Sequence, residues 1–517
     1  MAKYLVKRII RGIISVIIVV GIVMLLIYSL MNRDLVLAAD PNYTRLGTND
    51  KTMYKYSLWE QYGYLDYVPY GDYLVELAKN GEIDDDTRSS AALLANNAKD
   101  DNAIAKEYTQ KFTDYYTSQG YTVSRLKGVN VKGGNPGLFA YKDIHLLKRL
   151  WNYFANIIEV DSIHYAEEID GERGLSFTWY DPAYGGKKFS PAIIGNGTKH
   201  KYLLYFDNKF PFIHQNIVRI NLGVSYSINQ GTDISQTMTS EQGSQKAGLV
   251  HYPTGIAEVS PDNLHSATYI KGSLAISELN QKYFVDDYTQ VVLNRNAFSK
   301  LGFSFVIGIL SVIMAYVLGV PLGIMMARNK DKLLDKLGTL YIIFIMAVPS
   351  LAYIFIFAAI GRSAGLPTTF SVSEPTKAMY VLPIISLALP SVANLMKWLR
   401  RYMIDQQNSD YVKFARSGGL SEREIFNKHI LKNAIIPLVH GIPGSVLGAL
   451  TGAIITERVY TVPGAGGLLV DAIGKYDNAV IVGVTLFYAV LSVISIILGD
   501  ILMAMVDPRI SFSDKAR

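Results

Sequence analysis

Ser421, Glu422, Arg423 and Glu424 give the clearest local signal in the chain. The Ser421 hydroxyl can accept from the amide three residues on, and Glu424 can reach back to the Ser421 amide, the reciprocal pair that opens a helix. These residues follow Gly418-Gly419 inside 410–437, DYVKFARSGGLSEREIFNKHILKNAIIP. The stretch is polar and basic, and apolar runs flank it. It reads as two short helices broken at the glycines. The chemistry on offer is mechanical: a capped helix on a glycine joint makes a rigid, positively charged knob that a partner can grip. A plain solvated loop between apolar spans is the competing reading.

Other chemistries lack their residues. No GxxxxGK[ST] loop occurs, and Gly195-Asn196-Gly197-Thr198-Lys199 lacks its spacing, so no P-loop ATP site is expected. The His residues show no HExxH pattern and the chain has no Cys, which argues against zinc. No GxSxG elbow occurs. Glu167, Glu168, Asp170 and Glu172 read as a solvated acidic face. Asn42 and Asn196 open N-x-T tripeptides, a pattern common by chance.

The knob needs a platform, and half of the 517 residues are hydrophobic. Apolar runs occupy 9–30, 303–326, 337–360, 380–396, 435–455 and 480–505, which gives six candidate membrane spans. The first run would extend about 33 Å as a helix, enough to cross a hydrocarbon core. It is long for a signal peptide, and Tyr28-Ser29-Leu30-Met31-Asn32 is a poor small-residue cleavage site, so an uncleaved anchor is expected. Gly319, Pro321, Gly323, Pro349, Pro383 and Pro390 interrupt the later spans. In a membrane such residues permit kinks and close helix approach. Pro321, Gly323 and Pro349 are therefore structural or pathway candidates, with simple packing as the alternative for each. Asp500 is an intramembrane acid near the end of the last run. An ion pair at the interface is the reading favoured over a pathway role. Glu457, Pro463 and Gly464 mark a turn-rich segment before that run, read as a structured outer loop.

Charge divides the chain. Residues 34–294 hold 24 Lys+Arg against 31 Asp+Glu, while the rest hold 26 against 13. The short basic connections alternate, as in Lys3 to Arg11, Arg328 to Lys336 and Lys397 to Arg416. That alternation places both termini in the cytosol and residues 34–294 outside. Without Cys the outer segment has no disulfides and must rely on its own core. It reads as α+β: helical patterns over 100–119 and 142–158, strands at 202–206 and 218–224, turns at 133–137 and 181–186, and a flexible Ser/Thr/Gln/Gly-rich excursion over 232–261.

The knob resembles the EAA loop of the membrane subunits of binding-protein-dependent ABC importers. Lys413-Phe414-Ala415 stands at the Glu-Ala-Ala positions, a departure at two of three. Gly419, Leu420-Ser421-Glu422, the run His429 to Ala434, and Pro437 match the rest. Val320-Pro321-Leu322-Gly323, the set Glu457, Val459, Tyr460, Pro463, Gly464, Gly466, and Asp507-Pro508-Arg509-Ile510 follow the peptide-importer branch in order. Asn221 to Ser225 is similar to a short motif of the first outer loop in ordinary members. Residues 300–510 resemble the OppB family of oligopeptide permeases closely, and 1–33 loosely. The insertion 34–294 is shared with the AmiC-like form of that family.

The resemblance implies a polytopic α-helical membrane protein of the type I ABC importer permease fold. Six transmembrane helices would carry a large extracellular α+β domain between the first two. The implied parts are 1–33 with the first helix, 34–294 as extracellular domain, and 295–517 as permease domain with coupling loop 405–433. The implied partners are a second permease subunit, two cytosolic ATPases, an extracellular peptide-binding lipoprotein and an oligopeptide substrate in a Gram-positive plasma membrane. ATP and Mg would sit on the ATPases, with no cofactor on this chain, and no nucleic acid is implied. In the coupling loop Gly419 would form the joint, and Ala415 is the position that keeps the Glu-Ala-Ala pattern. Leu420, Ile425 and Phe426 would supply apolar contacts, with Ser421, Glu422 and Glu424 as the cap and Arg423, Lys428 and His429 as a polar rim. A membrane-anchored sensor without transport is the alternative. It suits the outer segment but not five further spans and a knob.

Overall fold

The computed structural model describes residues 2–38, 40–95, 97–126, 137–160, 174–180, 191–196, 202–206, 213–215, 218–239, 247–251, 257–261, 264–269, 289–293, 299–372 and 376–507. Helix α1 (Ala2–Leu30) has 29 residues, about 44 Å of length. Most of its Ile and Leu side chains point outward, as on a helix whose surroundings are lipid.

Between α1 and residue 299 the chain builds a mixed structure. The helices are α2 (Pro41–Arg45), α3 (Thr48–Gln61), α4 (Tyr70–Lys79), α5 (Asp85–Ala92), α6 (Ala103–Ser118), α7 (Leu146–Ala155) and α8 (Ile234–Thr239). Strands β1 (Leu65–Pro69), β2 (Thr122–Arg125) and β3 (Leu138–Asp143) form an antiparallel sheet in the order β1-β3-β2. Tyr70, Leu74, Phe112, Leu138 and Ala140 bury one core of this unit. Beside it, Asp101 is 1% exposed at its side chain and accepts from Arg125 at 2.5 and 2.8 Å.

Strand β4 (Ile158–Val160) pairs with β9 (Val218–Ile220), and β5 (Gly174–Thr178), β6 (Ala192–Asn196), β7 (Tyr202–Phe206) and β8 (Ile213–Gln215) form a second sheet. Two antiparallel pairs follow, β10 (Ala247–His251) with β11 (Ala257–Pro261) and β12 (Leu264–Tyr269) with β13 (Thr289–Leu293).

Several expectations need correction. The helical pattern over 142–158 is the end of β3, then α7, then the start of β4, because its apolar spacing continues into residues that pair as strand. The strand expected over 218–224 stops at Ile220. The excursion over 232–261 is not simply loose: Ile234 and Met238 of α8 are buried and β10–β11 is a ladder. The acidic cluster 167–172, the turn 181–186 and most of 133–137 lie outside the described residues.

The remaining helices are α9 (Lys300–Arg328), α10 (Leu333–Ala347), α11 (Ser350–Ser363), α12 (Val381–Gln407), α13 (Asp410–Ser417), α14 (Glu422–Glu424), α15 (Lys432–His440), α16 (Ile442–Val459), α17 (Ala465–Gly474) and α18 (Asn478–Val506). Among the described residues, five helical stretches are long and apolar enough to cross a membrane, or six if one bent pair counts as a single span. That pair, α10 and α11, turns by 111°. The run 337–360 is therefore not one straight helix. Pro349 holds the break: Val348 is extended, as a residue before proline prefers, and Pro349 has no amide to extend α10. Gly319 and Gly323 lie where α9 meets α12. A Cβ on Gly319 would sit 3.0 Å from Leu395 Cβ, and one on Gly323 would sit 3.2 Å from Leu399 Cβ. Gly323 is thus a packing residue, spaced four from Gly319 on one helix face. Pro321 lies on the exposed side of α9.

The segment before α9 does not hang free of the spans. Asp477, fully buried at the start of α18, accepts from Ser225 Oγ at 2.6 Å and from the amides of Tyr226, Ser227 and Ile228 at 2.9–3.1 Å. Tyr62 stacks on Tyr226 with ring centroids 3.7 Å apart. One core then runs from Trp59, Leu65 and Phe139 through Ile234 and Met238 to Ala465, Leu468, Val480 and Val484.

Two outcomes follow from these burials. Asp477→Ala would strand three amides and a hydroxyl at about 1–3 kcal/mol each. Amide exchange at 226–228 should then rise about tenfold or more while that of α12 is unchanged; equal protection in the variant would sink the clamp. Arg125 beside Asp101 holds its carboxyl below the usual carboxylate range. A carboxyl depressed in the folded state stabilises fully above its unfolded value of about 3.9 and loses that contribution as pH falls through the folded value. The detergent-solubilised protein should lose thermal midpoint on acidification below about pH 4 more steeply than Asp101→Asn does.

Candidate functional site

Residues 409–440 fold as the sequence pattern implies at the joint and differently beyond it. Helix α13 ends in a Schellman closure: Gly419 N–H donates to Arg416 O at 3.1 Å and Leu420 N–H to Ala415 O at 3.2 Å. Gly419 takes φ +82°, a left-handed value that costs a side-chain-bearing residue about 1–2 kcal/mol. The capping box then forms in full. Glu424 N–H donates to Ser421 Oγ and Ser421 N–H to Glu424 Oε2, both at 3.3 Å. Arg416 bridges the joint to the Glu422 carboxylate at 2.5 and 3.1 Å. Lys413 Nζ lies 2.9 Å from Asp410 Oδ1 and holds that carboxyl below its usual range.

Past the box there is no separate second helix. Residues Ile425–Leu431 form a π-helix that runs directly into α15. Seven residues of π geometry are rare, and such distortions concentrate at functional sites. The unit is anchored from below. Val412, Ile425, Ile430 and Ala434 are buried with Leu399 and Met403 of α12, Met326 and Ala327 of α9, and Ile342 and Ile345 of α10. Tyr411 OH donates to Gln406 Oε1 at 2.5 Å and accepts from Asn433 Nδ2 at 3.1 Å, tying α12, α13 and α15 together. The Arg328 guanidinium lies 4.2 Å from the centre of the Phe426 ring.

This packing divides the residues expected to grip a partner. Ile425 is fully buried and cannot belong to an outer contact face; it is part of the anchor. Phe426 is half-buried under Arg328. Leu420 is 39% exposed, and Arg423 and Lys428 point to solvent, with His429 between. Phe414, a departure from the Glu-Ala-Ala pattern, is 75% exposed and is the largest apolar group on the protrusion's surface. Its place on a short polar helix was visible in sequence; the side it faces was not.

A second constellation gathers around Glu457, 1% exposed at the end of α16. Its carboxylate accepts from Ser304 Oγ of α9 at 2.5 Å and from the Gly467 amide at 3.0 Å. Ser304 Oγ accepts in turn from the Ala465 amide at 2.9 Å. The first turn of α17 has no capping side chain of its own, so Glu457 and Ser304 supply acceptors from two other helices. Gly464 is required by space: a Cβ there would lie 2.1 Å from the Glu457 carboxyl carbon. Pro463 sits in the turn that brings this glycine back, half-buried. Arg458 pairs with Asp471 across the outside of the same turn.

Asp500 belongs to neither group. Arg8 Nη2 lies 2.5 Å from its Oδ2 and Tyr4 OH donates to it at 2.9 Å, joining α18 to the start of α1. An ion pair, as expected for Asp500, is the arrangement seen. Asp335, buried at the start of α10, forms a further bridge with Arg400 of α12 at 2.5 and 2.7 Å, which sequence reading missed. Asp477 was missed as well. Its only sequence signal is a Tyr-Asp-Asn triplet directly before an apolar run. Among the described residues, no group of three His, Cys, Asp or Glu side chains is placed to hold a metal.

Comparison with known proteins finds relatives along the whole chain. Residues 319–512 match the family described as binding-protein-dependent transport system inner membrane component. The oligopeptide transport system permease protein AmiC of Streptococcus pneumoniae is 37% identical over 522 aligned residues, covering 100% of this chain and 99% of that protein. The dipeptide transport system permease protein DppB of Lactococcus lactis is 35% identical over 213 residues, 41% of this chain and 69% of that protein. A crystal structure of an amino acid ABC transporter with histidines aligns with 41% of this chain at 16% identity and a TM-score of 0.32.

Two glycines separate space from conformation. Gly464→Ala drives a methyl into the Glu457 carboxylate, whereas a Cβ on Gly467 meets nothing within 4 Å. Thermal unfolding should show Gly464→Ala destabilised by about 1–3 kcal/mol and Gly467→Ala within about 0.5 kcal/mol of the parent. Equal stability of the two variants would contradict the cap.

Proposed function

This chain belongs to the oligopeptide permeases of binding-protein-dependent transport systems, and on that premise we propose that the protrusion 410–440 is the lever through which cytosolic ATPases drive it. The chain is a transmembrane permease subunit of a peptide importer, a multi-pass membrane protein without an ATPase domain of its own. Membership implies a partner permease, ATPases and a substrate-binding protein.

The observation that carries the lever is the contrast between its two faces. Val412, Ile425, Ile430 and Ala434 lock it to α9, α10 and α12, while Phe414, Leu420, Arg423 and Lys428 are exposed on the other face. Force applied to the free face reaches several spans at once, because the joint is closed at both ends by hydrogen bonds. Phe414 and Leu420 are the apolar contacts, and Arg423, Lys428 and His429 the polar rim. Two ATPases carry ATP and Mg, and this chain binds no cofactor. The second permease subunit completes the pathway. Both termini are cytosolic and 34–294 is extracellular, by the alternation of basic connections. An extracellular lipoprotein delivers peptide to that domain, whose clamp on Asp477 ties it to the last span.

Phe414→Asp with Leu420→Ala should lower peptide uptake by about tenfold or more, the range of a hot-spot loss, with membrane insertion and thermal midpoint unchanged. Uptake at the parent rate by a correctly inserted variant would remove the lever assignment.

A further inference from the structure

Helix α7 carries a wider apolar arc than the described residues cover. At 100° per residue, Leu150, Tyr153, Phe154 and Ile157 share one side, and Leu147 and Trp151 continue that side by four-residue spacing. The first group packs on Val20 and Met24 of α1 and Val482 and Leu486 of α18. The second does not: Leu147 is 65% and Trp151 75% exposed. Ile158 and Ile220, paired across β4 and β9, extend the uncovered surface. Lys148, Asn152 and Asn156 occupy the other side and are exposed.

The depth of this helix follows from α1. Arg11 is its last charged residue, and the Arg8–Asp500 pair marks one interface. About 20 helical residues cross the hydrocarbon, so the opposite interface falls near Tyr28. At that point the Arg149 guanidinium lies between the Tyr28 and Tyr64 rings, 3.6 and 3.7 Å from their centres. The buried side of α7 therefore sits at the exit of α1 and α18 from the membrane.

We propose that α7 is an interfacial anchor, its Leu147–Trp151 edge seated at the headgroup–acyl boundary of the phospholipid leaflet into which α1 emerges. Trp favours that boundary because its ring is apolar and its N–H needs a polar partner. A wide apolar face opposite Lys and Asn is the pattern of helices lying at such a surface. The anchor fixes the height of β4, β9 and the 221–228 loop above the lipid. That the leaflet is the outer one rests on the orientation proposed above; contact with lipid does not.

The absence of Cys allows single labels on the full chain. Leu147→Cys, Trp151→Cys, Asn152→Cys and Asn156→Cys, with Leu26→Cys as a lipid reference, would each carry a nitroxide in the assembled importer in phosphatidylglycerol–phosphatidylethanolamine vesicles. Collision rates with oxygen and with a water-soluble nickel chelate report lipid and water. Labels at 147 and 151 should match the oxygen-rich ratio at 26, and those at 152 and 156 should favour nickel. Nickel access at 147 and 151 equal to that at 152 would overturn the proposal. Low access to both reagents there would overturn it too, because a protein partner would then cover the edge. Lys79→Cys on intact cells, treated with a membrane-impermeant maleimide, checks the leaflet separately. Labelling supports the outer side; its failure beside an oxygen-rich 151 would overturn the leaflet assignment alone.

Discussion

A hydrocarbon surrounding leaves no water for an unpaired backbone group, so a helix that breaks within or near the membrane must find its hydrogen-bond partners in other helices. Much of this architecture answers that requirement. Helix α17 begins without a capping side chain, and Glu457 of α16 and Ser304 of α9 accept its first amides. The 226–228 amides find Asp477 at the head of α18. The turn before α10 is closed by Asp335, whose charge Arg400 of α12 meets. In the first two cases the side chain comes from a distant element, and in the third the local acceptor is itself held by Arg400 of another helix, so each repair involves a tertiary contact.

These repairs also set what moves together. Helix α18 carries the Asp477 clamp at one end and the Asp500–Arg8 pair at the other. The segment inserted after α1 is thereby linked to both first and last spans. The protrusion 410–440 is linked differently, through a buried apolar cluster shared with α9, α10 and α12. A peptide importer needs displacement at the ATPases to reach the pathway. The contacts between the protrusion and the spans are tightly packed side chains, and α9 and α12 approach closely at Gly319 and Gly323.

The glycines of the family motifs illustrate two separate constraints. Gly419 has open space where a Cβ would go, and only its positive φ demands glycine. Gly464 has an ordinary φ, and only the neighbouring carboxylate demands it. Substitution at the first tests the joint and at the second the cap.

The sequence by itself determined the apolar spans, the knob, its glycine joint and its capping box, because each depends on neighbours within a few residues. The ordered motifs also carried the family, which the AmiC relative bears out. The tertiary structure alone decided which side of the knob is free: Ile425 and Phe414 are both apolar, yet one is buried against α12 and the other exposed. It likewise decided that 337–360 turns by 111° at Pro349 rather than crossing straight, and that Asp477 is a clamp. Hydrophobic periodicity says that a face is buried but not against what. An acid before an apolar run is indistinguishable from any helix cap until the 225–228 loop, some 250 residues away in the chain, folds onto it.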